Sequence, residues 1–251
     1  AEGPELVRAF WKALGEITVL DPACGSGAFL FAALNILEDL YDACLDRMQD
    51  FVSDLDLSGG HKTGKLKDFK ETLDRIAGHP NEKYFVYKPI IIQNLFGVDI
   101  MEEATEICKL RLFLKLAAQL ESPDKIEPLP DIDFNIKAGN SLIGFTSSEE
   151  AQKIIGSKLD FDNTLEKIQT KAEDLDAAFI AFRKQQTELG GEVTPEDKEN
   201  LKSRLYDLEE ELNIYLAEEY GVNTENSASY NRWKASHKPF HWWIEFEHSS
   251  S

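Results

Sequence analysis

Two glycines that follow an acidic residue form the stretch of this chain best suited to hold a ligand. They lie in the string Asp21-Pro22-Ala23-Cys24-Gly25-Ser26-Gly27-Ala28-Phe29-Leu30. Gly25 and Gly27 have no Cβ atom, so the backbone can turn sharply and a ligand can lie against it. Pro22 stiffens the chain and donates no amide hydrogen. Because free N–H groups at the start of the following helix would face the ligand, these residue types indicate a binding loop for a nucleotide-type cofactor.

Two further polar side chains, Asp99 and Asn140, each follow a short apolar or β-branched run. A carboxylate has two acceptor oxygens and no donor, so Asp99 could accept hydrogen bonds from both hydroxyls of a ribose. Simpler roles are open for both residues. Asp99 could cap the next helix, and Gly139-Asn140 could be an ordinary turn after a strand.

The elements that must position these residues are three short strands that alternate with long helical patterns. Apolar runs predict strands at 17–20, 95–98 and 133–137. This alternation favours an α/β fold with the three strands adjacent and parallel. Ligands of such sheets bind outside the carboxyl ends of the strands. The residues expected to line one cleft there are Asp21, Gly25, Gly27, Asp99 and Asn140.

The glycine loop does not fit the two commonest phosphate-binding motifs. A dinucleotide fingerprint needs a small residue where Leu30 stands, and the chain has no Gly-Lys-Ser/Thr string. The string from Asp21 to Leu30 instead resembles motif I of the S-adenosylmethionine-dependent DNA methyltransferases. More narrowly, it resembles the adenine-N6 enzymes of restriction–modification and phage-defence systems (Type IIG-like, of the Eco57I-type methylase family). The alternative is a strand-to-helix turn without a ligand.

The resemblance implies a Rossmann-like class I methyltransferase core that binds S-adenosylmethionine. Within motif I it implies contacts from Asp21, Pro22, Ala23, Gly25, Gly27 and Phe29. Asp99-Ile100 fits the family's second motif, in which the carboxylate takes the ribose and Ile100 would cover one face of the adenine. The string Gly139-Asn140-Ser141-Leu142 resembles a third, in which Asn140 would bond the exocyclic amine of the adenine through its side-chain carbonyl.

The catalytic part that the resemblance calls for is missing from this sequence. Adenine-N6 enzymes carry an Asn/Asp-Pro-Pro-Tyr/Phe tetrapeptide that holds and stacks the extruded base, and the chain has no Pro-Pro dipeptide. A Pro-Phe-His-Trp string at 239–242 resembles the segment that comes shortly before that motif, and its aromatics favour core packing. No clear match exists to the family's segment before motif I, which helps hold the methionine end of the cofactor. We therefore expect a fragment of a larger methyltransferase that has no catalytic residue, binds the cofactor weakly or not at all, and transfers no methyl group alone.

A different kind of pattern occupies residues 163–220. Apolar residues recur alternately four and three apart, stop at Gly190-Gly191, and resume after Thr194-Pro195, which is typical of a helix start. This pattern predicts an antiparallel, coiled-coil-like helical hairpin. The domain organisation expected is a partial cofactor-binding core at 1–160, the hairpin insertion at 161–222, and an aromatic-rich return segment at 223–251. The hairpin could dock a protein partner or self-associate, or it could simply pack on its own domain.

Composition restricts the possible partners. The chain has 46 acidic and 27 basic residues and a formal net charge of −19, so it is a poor DNA binder by itself. DNA would be bound through parts of the parent protein outside this chain. The three cysteines form no C-x-x-C pair and indicate neither zinc nor disulfides, which favours the cytoplasm. No membrane span or metal site is expected, and His61 and His79 are predicted to face solvent.

Two other functions stay open at this point. The first is a methyltransferase of similar fold that acts on RNA, protein or a small molecule. The second is a non-enzymatic interaction module built on the helical hairpin.

Overall fold

The computed structural model describes residues 3–57, 66–120, 129–157, 164–187 and 193–246. Three strands occur in these ranges: β1 (Val19–Asp21), β2 (Leu95–Asp99) and β3 (Ile136–Ala138). The α-helices are α1 (Pro4–Glu16), α2 (Ala28–Leu57), α3 (Lys67–Ala77), α4 (Glu82–Pro89), α5 (Glu102–Ala117), α6 (Ser148–Ser157), α7 (Thr164–Thr187), α8 (Pro195–Glu219), α9 (Ser227–His237) and α10 (Trp242–Phe246). A π-helical turn, Ile90–Asn94, directly precedes β2.

The strands form a small sheet in the order β1-β2-β3. Strands β2 and β3 pair in parallel, with Gly97 opposite Ile136 and Asp99 opposite Ala138. The chain is thus a mostly helical α/β protein with a small three-stranded sheet, which is compatible with a methyltransferase-like fold. The second strand lies where the sequence predicts it, whereas β1 and β3 are shifted towards the carboxyl side of the predicted ranges.

The prediction of a strand from residue 133 was wrong for residues 133–135, which form a turn. Asn135 explains the difference, because its side chain is used as a donor to the backbone rather than on the face of a strand. Its Nδ2 atom lies 2.8 Å from the carbonyl oxygen of Ile92 and 3.0 Å from that of Leu95. Asn135 therefore satisfies carbonyls around the end of the π-helical turn, which an α-helical ladder would otherwise satisfy.

The chain divides into two compact units. One comprises Ala1–Asp21, Ser26–Phe96 and Glu106–Asn135, and the other comprises Pro22–Gly25, Gly97–Thr105 and Ile136–Ser251. The first unit has a core of aliphatic and aromatic side chains from α2, the π-helical turn, the start of β2 and α5. Its fully or almost fully buried members include Leu30, Leu34, Ile90, Ile91, Ile92, Leu95, Phe96, Cys108, Leu112 and Leu116.

His79 lies in the first unit, and the prediction that it faces solvent was wrong. The residue is buried, and its Nδ1 atom is 2.9 Å from the carbonyl oxygen of Asn81. Its ring stacks on that of Tyr84 with 6.4 Å between centroids. A histidine between Gly78 and Pro80 is typical of a loop, but its amphipathic ring can still be buried once one nitrogen has a backbone partner. His61 lies outside the described residues.

The second unit contains the two long helices that the interrupted apolar pattern predicts. Helices α7 and α8 pack on each other, and Lys171 Nζ lies 2.6 Å from Glu211 Oε2. The buried residues of α7 and α8 follow the predicted spacing: Ile168, Leu175, Phe179, Phe182, Gln186, Leu201, Leu205, Leu208, Leu212. Thr194 is confirmed as the N-cap of α8, and with Asp197 it forms a reciprocal capping box. The glycine break lies outside the described residues.

Candidate functional site

Asp99, the last residue of β2, uses both carboxylate oxygens to hold neighbouring backbone. The Gly25 N–H donates to Oδ2 over 2.8 Å, and the Met101 N–H donates to Oδ1 over 2.9 Å. The second bond is the local turn expected if Asp99 initiates the next helix, and the first ties the glycine loop to the end of the strand. A carboxylate offers about four lone-pair sites, so Asp99 retains acceptor capacity for a ligand.

The part of the glycine loop that lies in the second unit has an open backbone. Cys24 N–H donates to the Val98 carbonyl oxygen over 2.8 Å, which anchors the loop beside β2. Gly25 has a φ of +50°, and no atom lies within 4 Å of the position that a Cβ would occupy. Pro22 and Ala23 are exposed. The loop therefore keeps Gly25 in the left-handed region and leaves space against its backbone.

Strands β2 and β3 lead directly into the two other predicted contacts. Ile100 follows Asp99 and is 49 % exposed although its side chain is apolar. The Gly139 N–H donates to the Asp99 carbonyl oxygen over 2.9 Å, so Asn140 begins where this pairing ends. Asn140 Oδ1 accepts the Leu142 N–H over 3.1 Å. This bond makes the simple turn that sequence reasoning left open, and it also fixes which way the amide of Asn140 points.

The strand-end cluster consists of Gly25, Asp99, Ile100 and Asn140. All four belong to the second unit. Hydrogen bonds connect Gly25 to Asp99, and Asp99 to the residue before Asn140. The cluster thus offers an anionic acceptor, an exposed apolar side chain, an amide and an open glycine backbone.

Three further predicted motif I residues, Asp21, Gly27 and Phe29, belong to the first unit. Asp21 is the last residue of β1 and is partly buried. Gly27 has a φ of +82°, and a Cβ there would lie 2.4 Å from Cys108 Sγ, so this glycine permits close packing between the loop and α5. Phe29 is in the first turn of α2 and is 78 % exposed.

Arg111 is a loop contact that no sequence motif singles out. Its Nη1 atom donates to the Ser26 carbonyl oxygen over 2.7 Å, and its guanidinium lies 4.9 Å from the ring centroid of Phe31. The cation therefore binds the loop between its two glycines and the first turns of α2. No periodicity or spacing links residues so far apart in sequence.

Residues 238–243, called the aromatic strap below, lie against the backbone that carries Asn140. The Asn140 N–H donates to the Lys238 carbonyl oxygen over 2.7 Å. The Phe240 N–H donates to the Ile143 carbonyl oxygen over 2.7 Å, and Trp242 Nε1 donates to the Ser141 carbonyl oxygen over 2.9 Å. The prediction that this aromatic segment packs in the core is confirmed, since Phe240, His241 and Trp243 are buried.

A buried charge cluster anchors β3 to α10 and α8 within the second unit. Lys137 of β3 forms an ion pair with Glu245, and both side chains are almost fully buried. Burial and the negative charge of Glu245 raise the pKa of Glu209 well above its usual value. Burial also disfavours ionisation of Glu245, but the charge of Lys137 together with hydrogen bonds from Glu209 and Lys137 outweighs it and lowers the pKa of that carboxyl. Of the two carboxyls, Glu209 is therefore the one that binds a proton more readily.

His241 of the aromatic strap is neutral. Its Nδ1 atom accepts the Phe145 N–H over 3.1 Å, and its Nε2 atom lies 3.0 Å from Asn213 Oδ1. Burial lowers the pKa of His241 to about 4, against the opposing charges of Glu245 and Glu150. A second ring proton would face the Phe145 N–H donor, so this arrangement suits a structural histidine rather than a general base.

Three further observations concern the part of the chain that the structure describes. No described helix combines the length and the apolar character that crossing a membrane requires. Among the described residues, no group of three or more histidine, cysteine, aspartate or glutamate side chains is arranged to hold a metal ion. The three cysteines, Cys24, Cys44 and Cys108, are buried thiols that form no disulfide.

Comparisons with known proteins identify the family of this chain. The family model described as "MmeI, DNA-methyltransferase domain" matches residues 2–142, and the model described as "Eco57I restriction-modification methylase" matches residues 93–250. A relative from Methanocaldococcus jannaschii, whose name describes a type II restriction enzyme and methyltransferase, is 35 % identical over 151 residues, which is 58 % of this chain and 10 % of the relative. The type II restriction enzyme and methyltransferase RM.Eco57I of Escherichia coli is 30 % identical over 146 residues, 55 % of this chain and 13 % of the relative.

The matched region is thus about a tenth of the length of these relatives. No solved structure gives a significant match. The two family models together span the glycine loop, the strand-end cluster and the aromatic strap, and each covers more than half of the chain. On these matches, the chain belongs to the Eco57I-type restriction–modification DNA methylases.

Proposed function

We propose that the chain carries the S-adenosylmethionine-binding part of a DNA methyltransferase that transfers a methyl group to adenine N6. The observation that carries this proposal is the Asp99 carboxylate, which holds the Gly25 amide at the end of β2 and keeps acceptor capacity for a ligand. The family supports a methyltransferase of restriction–modification type. The choice of adenine N6 rests on the resemblance of the three sequence strings.

The strand-end cluster fits the adenosine end of S-adenosylmethionine. The free lone pairs of Asp99 suit the two ribose hydroxyls, and the exposed Ile100 suits one apolar face of the adenine. The second lone pair of Asn140 Oδ1 suits the exocyclic amine. Open space beside Gly25 lets a ligand lie against the backbone. Bound S-adenosylmethionine would supply a methyl group on a positively charged sulfur, and the chain's own residues would bind and orient it.

Transfer to DNA needs groups that this sequence does not contain. It has no Asn/Asp-Pro-Pro-Tyr/Phe string to accept the amine hydrogens and stack the base, and its charge of −19 opposes approach to a polyanion. We therefore propose that DNA binds through other parts of a cytoplasmic parent protein and that this chain alone is inactive. The two long helices would form an antiparallel hairpin insertion that is available for a protein partner or for self-association.

The first test is a calorimetric titration of the purified 251-residue chain with S-adenosylmethionine. Weak, saturable binding is the expected result. Asp99→Ala should weaken it by about 1–3 kcal/mol, because charge-assisted hydrogen bonds to the ribose are lost. Asp207→Ala, which removes an exposed carboxylate from α8, is the matched control and should leave the affinity unchanged. Equal affinities for the wild type and Asp99→Ala would contradict the ribose role.

The second test offers labelled S-adenosylmethionine and mixed-sequence DNA to the same chain. No transfer above background is expected, because holding both reactants together lowers the barrier by several kcal/mol and this chain holds at most one of them. Turnover that Gly25→Trp abolishes would overturn the expected inactivity and would require a catalytic residue within the chain.

A further inference from the structure

Lys238 lies where the pairing between the ends of β2 and β3 stops. The Gly139 N–H still donates to the Asp99 carbonyl oxygen over 2.9 Å. The next residue of each segment uses its other edge: the Asn140 N–H donates to the Lys238 carbonyl oxygen over 2.7 Å, and the Ile100 carbonyl oxygen accepts from Lys238 Nζ over 3.1 Å. Lys238 therefore bonds to the segment after β3 through its main-chain carbonyl and to the segment after β2 through its ammonium group.

The backbone of Lys238 is strained for a lysine. Its φ is +46°, and it is the only residue other than glycine with a positive φ among the residues that the structure describes. It follows the last turn of α9, where glycine is the usual residue because it adopts this conformation without a steric penalty. Such strain persists where the surrounding structure holds it, and it concentrates at functional sites.

We propose that Lys238 is a positioning residue that fixes the spacing between Ile100 and Asn140 for the adenine ring. The inference rests on the proposed function, in which these two residues contact the adenine. Lys238 touches neither the cofactor nor a reacting group in this arrangement. It satisfies the Ile100 carbonyl and the Asn140 amide, two backbone groups that the pairing between β2 and β3 does not use, and so holds both residues just beyond the last bond between the strands.

This arrangement makes the discrimination between adenine and hypoxanthine depend on Lys238. The Leu142 N–H orients the Asn140 amide with its oxygen as an acceptor, so a flipped amide would lose that bond. The exocyclic amine of adenine can donate to this oxygen, whereas the carbonyl oxygen of hypoxanthine would face it as a second acceptor. Moving the Asn140 backbone should therefore weaken adenine binding selectively.

The experiment measures the affinity of the 251-residue chain for 5′-methylthioadenosine and 5′-methylthioinosine by an NMR titration. Lys238→Met keeps the strained backbone and about the length of the side chain but removes the ammonium donor. Lys238→Gly removes both the donor and the backbone strain. Each should lower the affinity for the adenosine compound by about fivefold to tenfold and bring the ratio of the two affinities towards one. Lys238→Arg keeps a donor and should keep the ratio. Lys153→Met, at an exposed lysine of α6, is the matched control.

Thermal unfolding of the same variants separates positioning from folding. Lys238→Gly should unfold at a temperature equal to or above that of the wild type, because it relieves the strained backbone, and yet lose affinity. If Lys238→Met keeps the wild-type ratio, or if Lys238→Gly restores affinity together with stability, the positioning role is wrong while the proposed function stands. If the wild type binds neither compound, the proposed function fails and this inference fails with it.

Discussion

Gly25 and Gly27 occur in one loop but should fail in different ways when a Cβ is added. Both have a positive φ, so alanine at either position is strained by about 1–2 kcal/mol, partly offset by about 0.4–1 kcal/mol of unfolded-state entropy. At Gly25 nothing lies within 4 Å of the new Cβ, whereas at Gly27 the new atom would lie 2.4 Å from Cys108 Sγ. Overpacking adds about 1–3 kcal/mol. We therefore expect Gly25→Ala to cost about 1 kcal/mol of unfolding free energy and Gly27→Ala about 2–4 kcal/mol.

Cys108→Ala tests this reasoning, because it removes the atom with which the new Cβ would clash. In the Cys108→Ala background, Gly27→Ala should cost little more than Gly25→Ala does, since the remaining Cys108 contact, at Cβ, is 3.3 Å away. The two substitutions should thus show a favourable coupling of about 1–3 kcal/mol. The measurement is urea unfolding at 25 °C, followed by circular dichroism, of the wild type, the three single variants and the double variant. Additive costs, or equal costs for the two glycine variants, would refute the packing role of Gly27.

Three further predictions concern stability. Burial lowers the pKa of His241 to about 4 in the folded chain, against an ordinary 6.5, so its contribution to the free energy of unfolding is complete above pH 6.5 and falls by about 3 kcal/mol as the pH falls towards 4. His241→Gln should flatten this pH dependence of stability, measured by urea unfolding across that range. Asn135→Ala should lower the free energy of unfolding by about 2–4 kcal/mol because buried carbonyls lose their donor, and Asn135→Asp should lower it further because it places an acceptor against them. Thermal unfolding that ranks the two variants in the opposite order would contradict the capping role. Gly144→Ala should prevent folding, as judged by proteolysis, because its Cβ would lie 1.8 Å from the Phe240 carbonyl oxygen; a protease-resistant variant would show that the aromatic strap does not need this close approach.

Local patterns predicted the parts of the fold that rest on neighbouring residues. The apolar run before Asp99 marks β2 because every side chain of residues 95–98 is buried, and a fully buried strand needs no polar alternation. The seven-residue spacing of α7 and α8 predicted their buried stripe, because residues three and four apart lie on the same face of a helix. Thr194 was recognisable as a cap because capping is decided within one turn of the helix.

The errors lie where a buried side chain bonds to backbone. The residues 133–137 alternate well enough for a strand, but the Asn135 side chain donates to carbonyls 43 and 40 residues earlier in the chain, and the strand starts after it. His79 has no partner at ligand spacing, yet it is buried because the adjacent Asn81 carbonyl satisfies its ring. Neither bond leaves a periodic signal, so propensity and spacing alone favour the wrong state.

The same distinction applies to the site. The residue types of the proposed strand-end cluster could be read from the string after each strand, because a glycine backbone, a carboxylate and an amide are groups to which a ligand could bind. The residues that hold them could not, since Asp99 reaches Gly25 across 74 residues and Lys238 reaches Ile100 across 138. The proline after Lys238 favours an end of α9 at this point, because proline disfavours the helical region for the residue that precedes it. It does not predict that this lysine takes a left-handed backbone and bonds to two strand ends, which is decided only when the sheet and the aromatic strap have folded together.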